Sequence, residues 1–355
     1  MPGPTDDDGP HSVGALGGLG RALGPALHEV CGDRLGDVDW FQTRWQRSGA
    51  ATGYTHWRLP DGSVIDAIVK APVGYREWYW STKLGETDPM WWTSPEAEHL
   101  PVPRVLASGT ELGDYDVAWL VVERVSGASL HSELDSGDPE RAASALARLF
   151  DAAARFHQMT LGVRKPTEHD TVALRDWPDL IERARRAVRD NPVENADDWD
   201  AMLGGVAFGL DALVSTWRSR DRSTWCHGDL HPGNVLARPC QTCRLGQGGS
   251  KSGADEGVLI DLGLVHAGHW VEDALYLERL YWGRSETLAG VDPVTSLSKA
   301  RERHGLDGAV PEELAETRRV LMAATSPAFL GQENDTSYLA AALAHLKNGA
   351  SEGLF

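Results

Sequence analysis

The sequence has few basic residues and no long apolar run, and each shortage excludes a class of protein. Lys and Arg number 34 against 52 Asp and Glu, which gives a formal net charge of −18. That charge repels polyanions, so nucleic acid is not expected as a partner. No run of about 18 apolar residues exists, and MPGPTDDDGP at the N-terminus lacks the hydrophobic stretch of a signal peptide. We therefore expect a cytoplasmic protein with no membrane contact.

Cysteine is also scarce. The four cysteines in 355 residues are too sparse for a disulfide framework, and we expect reduced thiols. The apolar content of 41% is enough for a sizeable core, and the length suits two domains or one large unit with two lobes.

Patterning divides the chain into a tail and two lobes. Residues 1–12 are predicted to be a disordered tail. Apolar and polar residues alternate in VDWFQTRW, GYTHWRL and SVIDAIVKAP, which predicts three antiparallel strands. The segment YREWYWSTKLG then predicts a helix, and PVPRVLASG and VAWLVVERV predict two more strands. Residues 13–124 are thus predicted to form a small β-rich lobe.

Residues 125–355 are predicted to form a larger, mainly helical lobe. Asp138 before Pro139 predicts a helix start, and the apolar residues that follow recur on one helical face. The segment GVLIDLG predicts a short buried strand. Residues 239–256, rich in Gly and Ser, predict a flexible surface insertion.

A group of polar residues in this lobe suggests phosphoryl transfer. Asn234 follows Asp229 by five positions, and Asp261 ends the strand-like GVLI run. Phosphoryl transfer needs a carboxylate aimed at the attacking hydroxyl and oxygen ligands for Mg²⁺. We predict that Asp229 orients the hydroxyl and that Asn234 and Asp261 hold Mg²⁺.

Upstream residues can bind the phosphates. Lys70 ends the third predicted strand, and the segment 48–53 joins the first two, where Ser48, Gly49 and Gly53 can cover the phosphates. A helical glutamate should pair with Lys70. Both Glu77 and Glu86 are candidates, and we favour Glu77.

In this order the motifs resemble the aminoglycoside phosphotransferase and choline kinase family of small-molecule kinases. That family carries His-Gly-Asp where protein kinases carry His-Arg-Asp, and this chain has His227-Gly228-Asp229 followed by HPGNVL. The resemblance covers residues 38–290. It implies an α+β, bilobal protein-kinase-like fold, with ATP and Mg²⁺ as cofactors. In that fold residues 13–124 would bind the nucleotide, and residues 125–355 would carry the catalytic loop and the acceptor site. The implied activity is phosphorylation of a hydroxyl on a small molecule, such as an amino-sugar or another small alcohol.

The resemblance also implies residue roles. Asp229 would be the catalytic base, and Trp119 to Arg124, which include Glu123, would adjoin the adenine. Two features depart from the family pattern: Leu262 stands where an aromatic residue is usual, and the loop at 48–53 has only two glycines.

Two other functions remain open. One is a non-catalytic nucleotide-binding protein of the same fold. The other is a zinc protein, whose ligands would be Cys226, His227, His231, Cys240 and Cys243.

Several polar residues have competing interpretations. An acidic segment is either a solvated face or a wall that favours a cationic acceptor. Its residues are Asp190, Glu194, Asp197, Asp198 and Asp200. We interpret His157, His231 and Asp273 as structural.

Overall fold

The computed structural model describes residues 15–41, 49–86, 100–172, 175–239, 255–310, 312–330 and 336–355. The chain divides into two compact units. The first comprises the described residues of Met1–Ala128 and Leu236–Val265, and the second those of Ser129–Val235 and His266–Phe355. The predicted boundary at residue 124 lies near the first junction, but the sequence did not indicate that Leu236–Val265 belongs to the first unit. The predicted tail and residues 240–254 of the predicted insertion lie outside the described residues.

The first unit contains the predicted sheet and helix. In the described residues, five strands form an antiparallel sheet in the order β1-β2-β3-β5-β4. The strands are β1 (Asp39–Phe41), β2 (Ala51–Arg58), β3 (Val64–Ala71), β4 (Val105–Gly109) and β5 (Trp119–Glu123). Helix α2 (Tyr75–Gly85) follows β3, as predicted.

A helix at the start of the described chain covers part of this sheet. Helix α1 (Ala15–Cys31) buries Leu23 and Leu27 in one cluster with Trp57 and Val69. Glycines and Pro25 lower its intrinsic helix propensity, so burial of this apolar face stabilises it.

The segment Leu236–Val265 returns to the first unit through backbone contacts. Ala237 N donates to Ala128 O at 2.9 Å, and a Cβ added at Gly127 would lie 1.6 Å from Ala237 O. Only glycine allows this approach. Strands β7 (Val235–Arg238) and β8 (Glu256–Leu259) form a two-stranded sheet.

The second unit is mainly helical. Its helices are α3 (Leu130–Leu134), α4 (Pro139–Val163), α5 (Trp177–Asp190), α6 (Ala196–Arg218), α7 (Val271–Leu280), α8 (Pro293–Arg303), α9 (Glu312–Thr325) and α10 (Thr336–Ser351). Strands β6 (Thr224–Cys226) and β9 (His266–Gly268) pair antiparallel. None of the helices in the described part of the chain is both long and apolar enough to span a membrane.

Helix α4 begins as predicted. The Asp138 side chain accepts hydrogen bonds from Glu140 N at 2.9 Å and Arg141 N at 3.3 Å. The predicted apolar face is buried, and it comprises Leu146, Leu149, Phe150, Ala153 and Phe156.

Candidate active site

Lys70 lies on β3, opposite Thr52 on β2 and Leu120 on β5. Its Nζ contacts Oε1 of Glu77, in the first turn of α2. Glu86 instead accepts from Ser108 Oγ at 3.2 Å. Of the two candidate partners, Glu77 is therefore the one that contacts Lys70.

Lys70 and Glu77 line a pocket of about 230 Å³ in the first unit. Apolar side chains form most of its wall, and four charged residues, Lys70, Glu77, Glu123 and Asp261, also line it. The lining residues are Phe41, Thr52, Ile68, Lys70, Glu77, Ser81, Val102, Pro103, Leu120, Val122, Glu123, Val125, Leu236, Leu259, Ile260, Asp261 and Leu262. Ligand pockets typically combine an apolar wall with a few polar groups that fix orientation.

Asp261 reaches this pocket from a left-handed backbone position. Its φ is 63° and its ψ is 68°, a conformation that Asp tolerates better than most residues and that often occurs at functional sites. Leu262 is buried, so it packs in the first unit at the position where the family usually has an aromatic residue.

The glycine segment differs from the prediction. Gly53 lies within β2, opposite Trp40 and Val69, and not in a loop. A Cβ there would lie 2.4 Å from Val38 Cγ1, so close packing explains this glycine. Gly49 is exposed, and Ser48 lies outside the described residues. Thr52 is the residue of this segment that lines the pocket.

The Glu123 side chain is engaged in a buried ion-pair group. Its carboxylate accepts from Arg104 Nε at 2.6 Å and Arg104 N at 3.0 Å, and it contacts Arg238 Nη2. These contacts join β5 to the Leu236–Val265 segment.

In the second unit, β6 leads directly into His227-Gly228-Asp229. Gly228 has a φ of 82°, which favours glycine. The buried carboxylate of Asp273 accepts from His227 N at 2.8 Å and Gly228 N at 2.9 Å, and His157 Nε2 lies 3.0 Å from it. Asp273 thus holds the loop backbone through hydrogen bonds, and His157 contacts the Asp273 carboxylate. Both contacts agree with the structural interpretation of these two residues.

Burial affects the pKa values of both His157 and Asp273. It lowers the pKa of His157, while the neighbouring Asp273 opposes that shift. Burial also disfavours the Asp273 carboxylate, but hydrogen bonds from His157 and Gly228 hold its pKa below the usual value.

Three side chains surround the Asp229 carboxylate. Asn234 Nδ2 donates to Oδ2 at 3.0 Å, Tyr276 donates its hydroxyl to Oδ1, and His231 Nε2 lies 3.9 Å from Oδ2. His231 Nδ1 also accepts from Gly233 N at 3.0 Å, which fits its structural interpretation. Because Asn234 uses its amide nitrogen here, its Oδ1 is the atom suited to a cation.

Sequence reasoning missed Tyr276. It lies on α7 one turn after Asp273, and this spacing of three residues on one helix was the available signal. Burial raises the pKa of its hydroxyl, and the hydrogen bond to Asp229 raises it further.

Of the five predicted zinc ligands, Cys240 and Cys243 lie outside the described residues. Cys226 has a different set of neighbours: its Sγ, a His266 nitrogen and a Glu272 oxygen lie within 4.8 Å of one another. Glu272 Oε1 accepts from Arg220 Nε at 2.9 Å, so a guanidinium already occupies one side of this group. Burial raises the pKa of the Cys226 thiol, which disfavours the thiolate that zinc needs.

The acidic segment around residues 190–200 is solvated. Asp190, Glu194, Asp197, Asp198 and Asp200 are all exposed. Asp198 pairs with Lys347 Nζ at 2.6 Å.

Comparison with known proteins places the chain in a family. The model of the phosphotransferase enzyme family matches residues 92–292, more than half of the chain, and the chain belongs to this family.

Two relatives agree with this assignment in sequence. Aminoglycoside 3'-phosphotransferase of Streptomyces fradiae is 32% identical over 162 residues, which are 45% of this chain and 54% of that protein. The enzyme of the same name from Streptomyces ribosidificus is 29% identical over 156 residues, 44% of this chain and 53% of that protein. The matched region thus spans about half the length of these relatives.

The fold is also found in a solved structure. A Ralstonia eutropha protein described as an aminoglycoside phosphotransferase has a TM-score of 0.51 at 15% identity, covering 92% of this chain and 98% of that one. This likeness concerns the fold alone, and it confirms the predicted α+β, protein-kinase-like class.

Proposed function

We propose that the protein is a phosphotransferase that uses ATP and Mg²⁺ to phosphorylate a hydroxyl of a small molecule. The observation that carries this proposal is the carboxylate of Asp229, which Asn234 and Tyr276 hold in one orientation within a loop braced by Asp273. Family membership supports the reaction class.

Asp229 acts as the base in this proposal. Its carboxylate orients the acceptor hydroxyl and receives its proton as the oxygen attacks phosphorus. Because Asn234 and Tyr276 fix both carboxylate oxygens, little reorganisation is needed when the proton moves.

The residues present suit a nucleotide and Mg²⁺. The apolar wall around Ile68, Leu120 and Leu259 fits a purine, and Lys70, oriented by Glu77, offers an ammonium group to phosphate oxygens. Asn234 and Asp261 offer the oxygen ligands that Mg²⁺ prefers. When bound, the metal neutralises phosphate charge.

The acceptor class is an amino-sugar or another small alcohol. The two Streptomyces relatives are aminoglycoside 3'-phosphotransferases, which supports the first of these. A non-catalytic nucleotide-binding role is the second candidate, and turnover on a panel of amino-sugars, neutral sugars, choline-like amines and nucleosides separates the two.

The substitution Asp229→Asn tests the mechanism. It keeps the size of the side chain and removes the negative oxygen that takes the proton, so kcat should fall by about 10²–10⁴-fold. The KM for ATP should change little, since the proposed nucleotide ligands are other residues. Steady-state kinetics with titration of MgATP measures both.

Asp190→Asn is the matched control, because Asp190 is exposed at the end of α5, and it should keep the wild-type kcat. Wild-type turnover in Asp229→Asn would overturn the proposed mechanism. Loss of MgATP binding in that variant would instead point to a metal-binding role for Asp229.

A further inference from the structure

Three side chains of the first unit stack in a row beside the pocket that Lys70 lines. The ring centres of Phe41 and Tyr54 lie 4.3 Å apart with 22° between the ring planes. The Cζ of Arg124 lies 4.3 Å from the centre of the Tyr54 ring. Phe41 is on β1, Tyr54 is on β2, and Arg124 directly follows β5. This stacked row, Phe41–Tyr54–Arg124, therefore joins three segments that are separate in the sequence.

The strand register places the stacked row on the face of the sheet that lines the pocket. Phe41 lies opposite Thr52, and Tyr54 lies opposite Ile68. Thr52 and Tyr54 are two positions apart on β2, so their side chains leave the same face of the sheet. Phe41, Thr52 and Ile68 all line the pocket. The stacked row therefore begins at the pocket with Phe41 and continues along the same face through Tyr54.

Phe41 differs from the other side chains of the pocket wall. Among the described residues that line the pocket, it is the one aromatic residue. Tyr54 covers one face of its ring, so the pocket is lined by the remaining surface of that ring. Aromatic side chains bind the flat faces of nucleotide bases by stacking. Phe41 thus offers a base a flat contact that the aliphatic wall does not provide.

The position of Phe41 depends on few backbone contacts. Phe41 is the last residue of β1, which has three residues and lies at the edge of the sheet. An edge strand is hydrogen-bonded on one side only, so a short one is weakly held by its backbone. Tyr54, by contrast, lies within the eight residues of β2, which pairs with β1 and with β3. Stacking on Tyr54 therefore holds the Phe41 ring against a better-anchored strand.

Arg124 covers Tyr54 from the far side of β3. Its backbone N donates to Asp66 O on β3 at 2.9 Å, and its side chain extends to Tyr54 on β2. A guanidinium over an aromatic ring is a favourable cation–π contact. Arg124 is exposed, and no carboxylate of the described residues lies within ion-pair distance of it. A substitution of Arg124 therefore reports on the contact with Tyr54 and breaks no ion pair.

We propose that Tyr54 and Arg124 position the Phe41 ring so that the base of the nucleotide stacks against it. Tyr54 and Arg124 are positioning residues, since they act through Phe41. This inference rests on the proposed use of ATP and adds three residues to the nucleotide site. Because Lys70 would contact the phosphates, the base and the phosphates would be bound by different residues, and their contributions to affinity can be measured separately.

Calorimetric titration of the full chain with Mg²⁺ present separates the two contributions. The probes are ATP, adenosine, which lacks the phosphates, and inorganic triphosphate, which lacks the base. Phe41→Ala should weaken the binding of ATP and adenosine by about tenfold, because a stacking contact is lost, and should leave triphosphate binding unchanged. Phe41→Tyr keeps the ring and should lose less affinity than Phe41→Ala.

Further variants test the positioning role. Tyr54→Leu and Arg124→Gln should each weaken ATP and adenosine binding by about twofold to fivefold, with triphosphate binding unchanged. Tyr54→Phe keeps the ring and should lose less than Tyr54→Leu. Combined with Phe41→Ala, neither Tyr54→Leu nor Arg124→Gln should weaken binding further, since both act through the Phe41 ring.

Two control variants match these substitutions. Tyr115→Leu changes an exposed tyrosine outside the five strands, and Arg58→Gln changes an exposed arginine at the end of β2. Both should bind all three probes like the wild-type protein. Circular dichroism checks that every variant is folded.

Unchanged ATP and adenosine binding in folded Phe41→Ala, or an equal loss for adenosine and triphosphate, would overturn the inference. Tyr54→Leu and Arg124→Gln that weaken binding just as much in the Phe41→Ala background would overturn the positioning role. Absence of ATP binding to the wild-type protein would instead overturn the nucleotide use in the proposed function, and this inference with it.

Discussion

Tyr276 and Asn234 each occupy one oxygen of the Asp229 carboxylate, so the side chain has little rotational freedom. Tyr276 is a positioning residue in the proposed reaction, since it acts through Asp229. Tyr276 lies on α7, and its hydroxyl donates to Asp229 Oδ1.

The substitution Tyr276→Phe removes that hydroxyl and keeps the ring. A hydrogen bond to a charged group contributes about 1.5–3 kcal/mol, so kcat should fall by about tenfold or more, with the KM for ATP unchanged. Steady-state kinetics checks this. Tyr281→Phe, at the end of the same helix, is the control and should keep the wild-type kcat. An unchanged kcat in folded Tyr276→Phe would remove the positioning role.

At the scale of single helices, the sequence was sufficient to predict an element where helix capping and apolar periodicity determine it. Helix α2 spans the predicted YREWYWSTKLG segment, and α4 starts after the predicted Asp138 cap. Such features depend on residues within a few positions of one another.

Contacts between distant residues could not be predicted in the same way. Tyr276 and Asp229 are 47 positions apart, and Asp273 accepts from His227 N and Gly228 N across 46 and 45 positions. Gly53 was predicted in a loop because its close packing against Val38 has no signature in one sequence. The order of the motifs was enough to predict the candidate site residues. The residues that hold them in place could be identified only from the three-dimensional structure.

The join between the first unit and its returning segment depends on Gly127. In Gly127→Ala the added methyl would overlap Ala237 O, so the backbone must shift, and overpacking of this kind costs about 1–3 kcal/mol. Urea denaturation should show the loss as a lower midpoint. Gly162→Ala is the matched control: Gly162 lies in α4 with nothing within 4 Å of the added Cβ, so the midpoint should stay or rise. Equal midpoints for Gly127→Ala and wild type would show that the segment can move without cost.

For the molecule as a whole, the net charge limits the partners that the chain can bind. The net charge of −18 disfavours long polyanions, whose binding needs an extended basic surface.

Stability should depend on pH through three histidines of the second unit. Burial lowers the pKa of His157, His269 and His345 below the usual histidine value of about 6.5. Below that pH these histidines bind protons in the unfolded chain but stay neutral in the folded chain, so the free energy of unfolding falls as the pH decreases. Above about pH 7 they are neutral in both states and do not affect stability. Each histidine contributes up to about 1.4 kcal/mol per pH unit.

Urea denaturation between pH 7.5 and 5.5 should therefore show little change in unfolding free energy above about pH 7 and a growing loss as the pH falls below it. In His345→Gln one titrating group is absent, and the slope of free energy against pH should fall by about a third if the three groups act independently. His345 packs against Trp282 with ring centres 4.5 Å apart, and glutamine keeps part of that contact, so the variant should fold. A free energy that stays constant from pH 7.5 to 5.5 would mean that these histidines become protonated in the folded protein without cost.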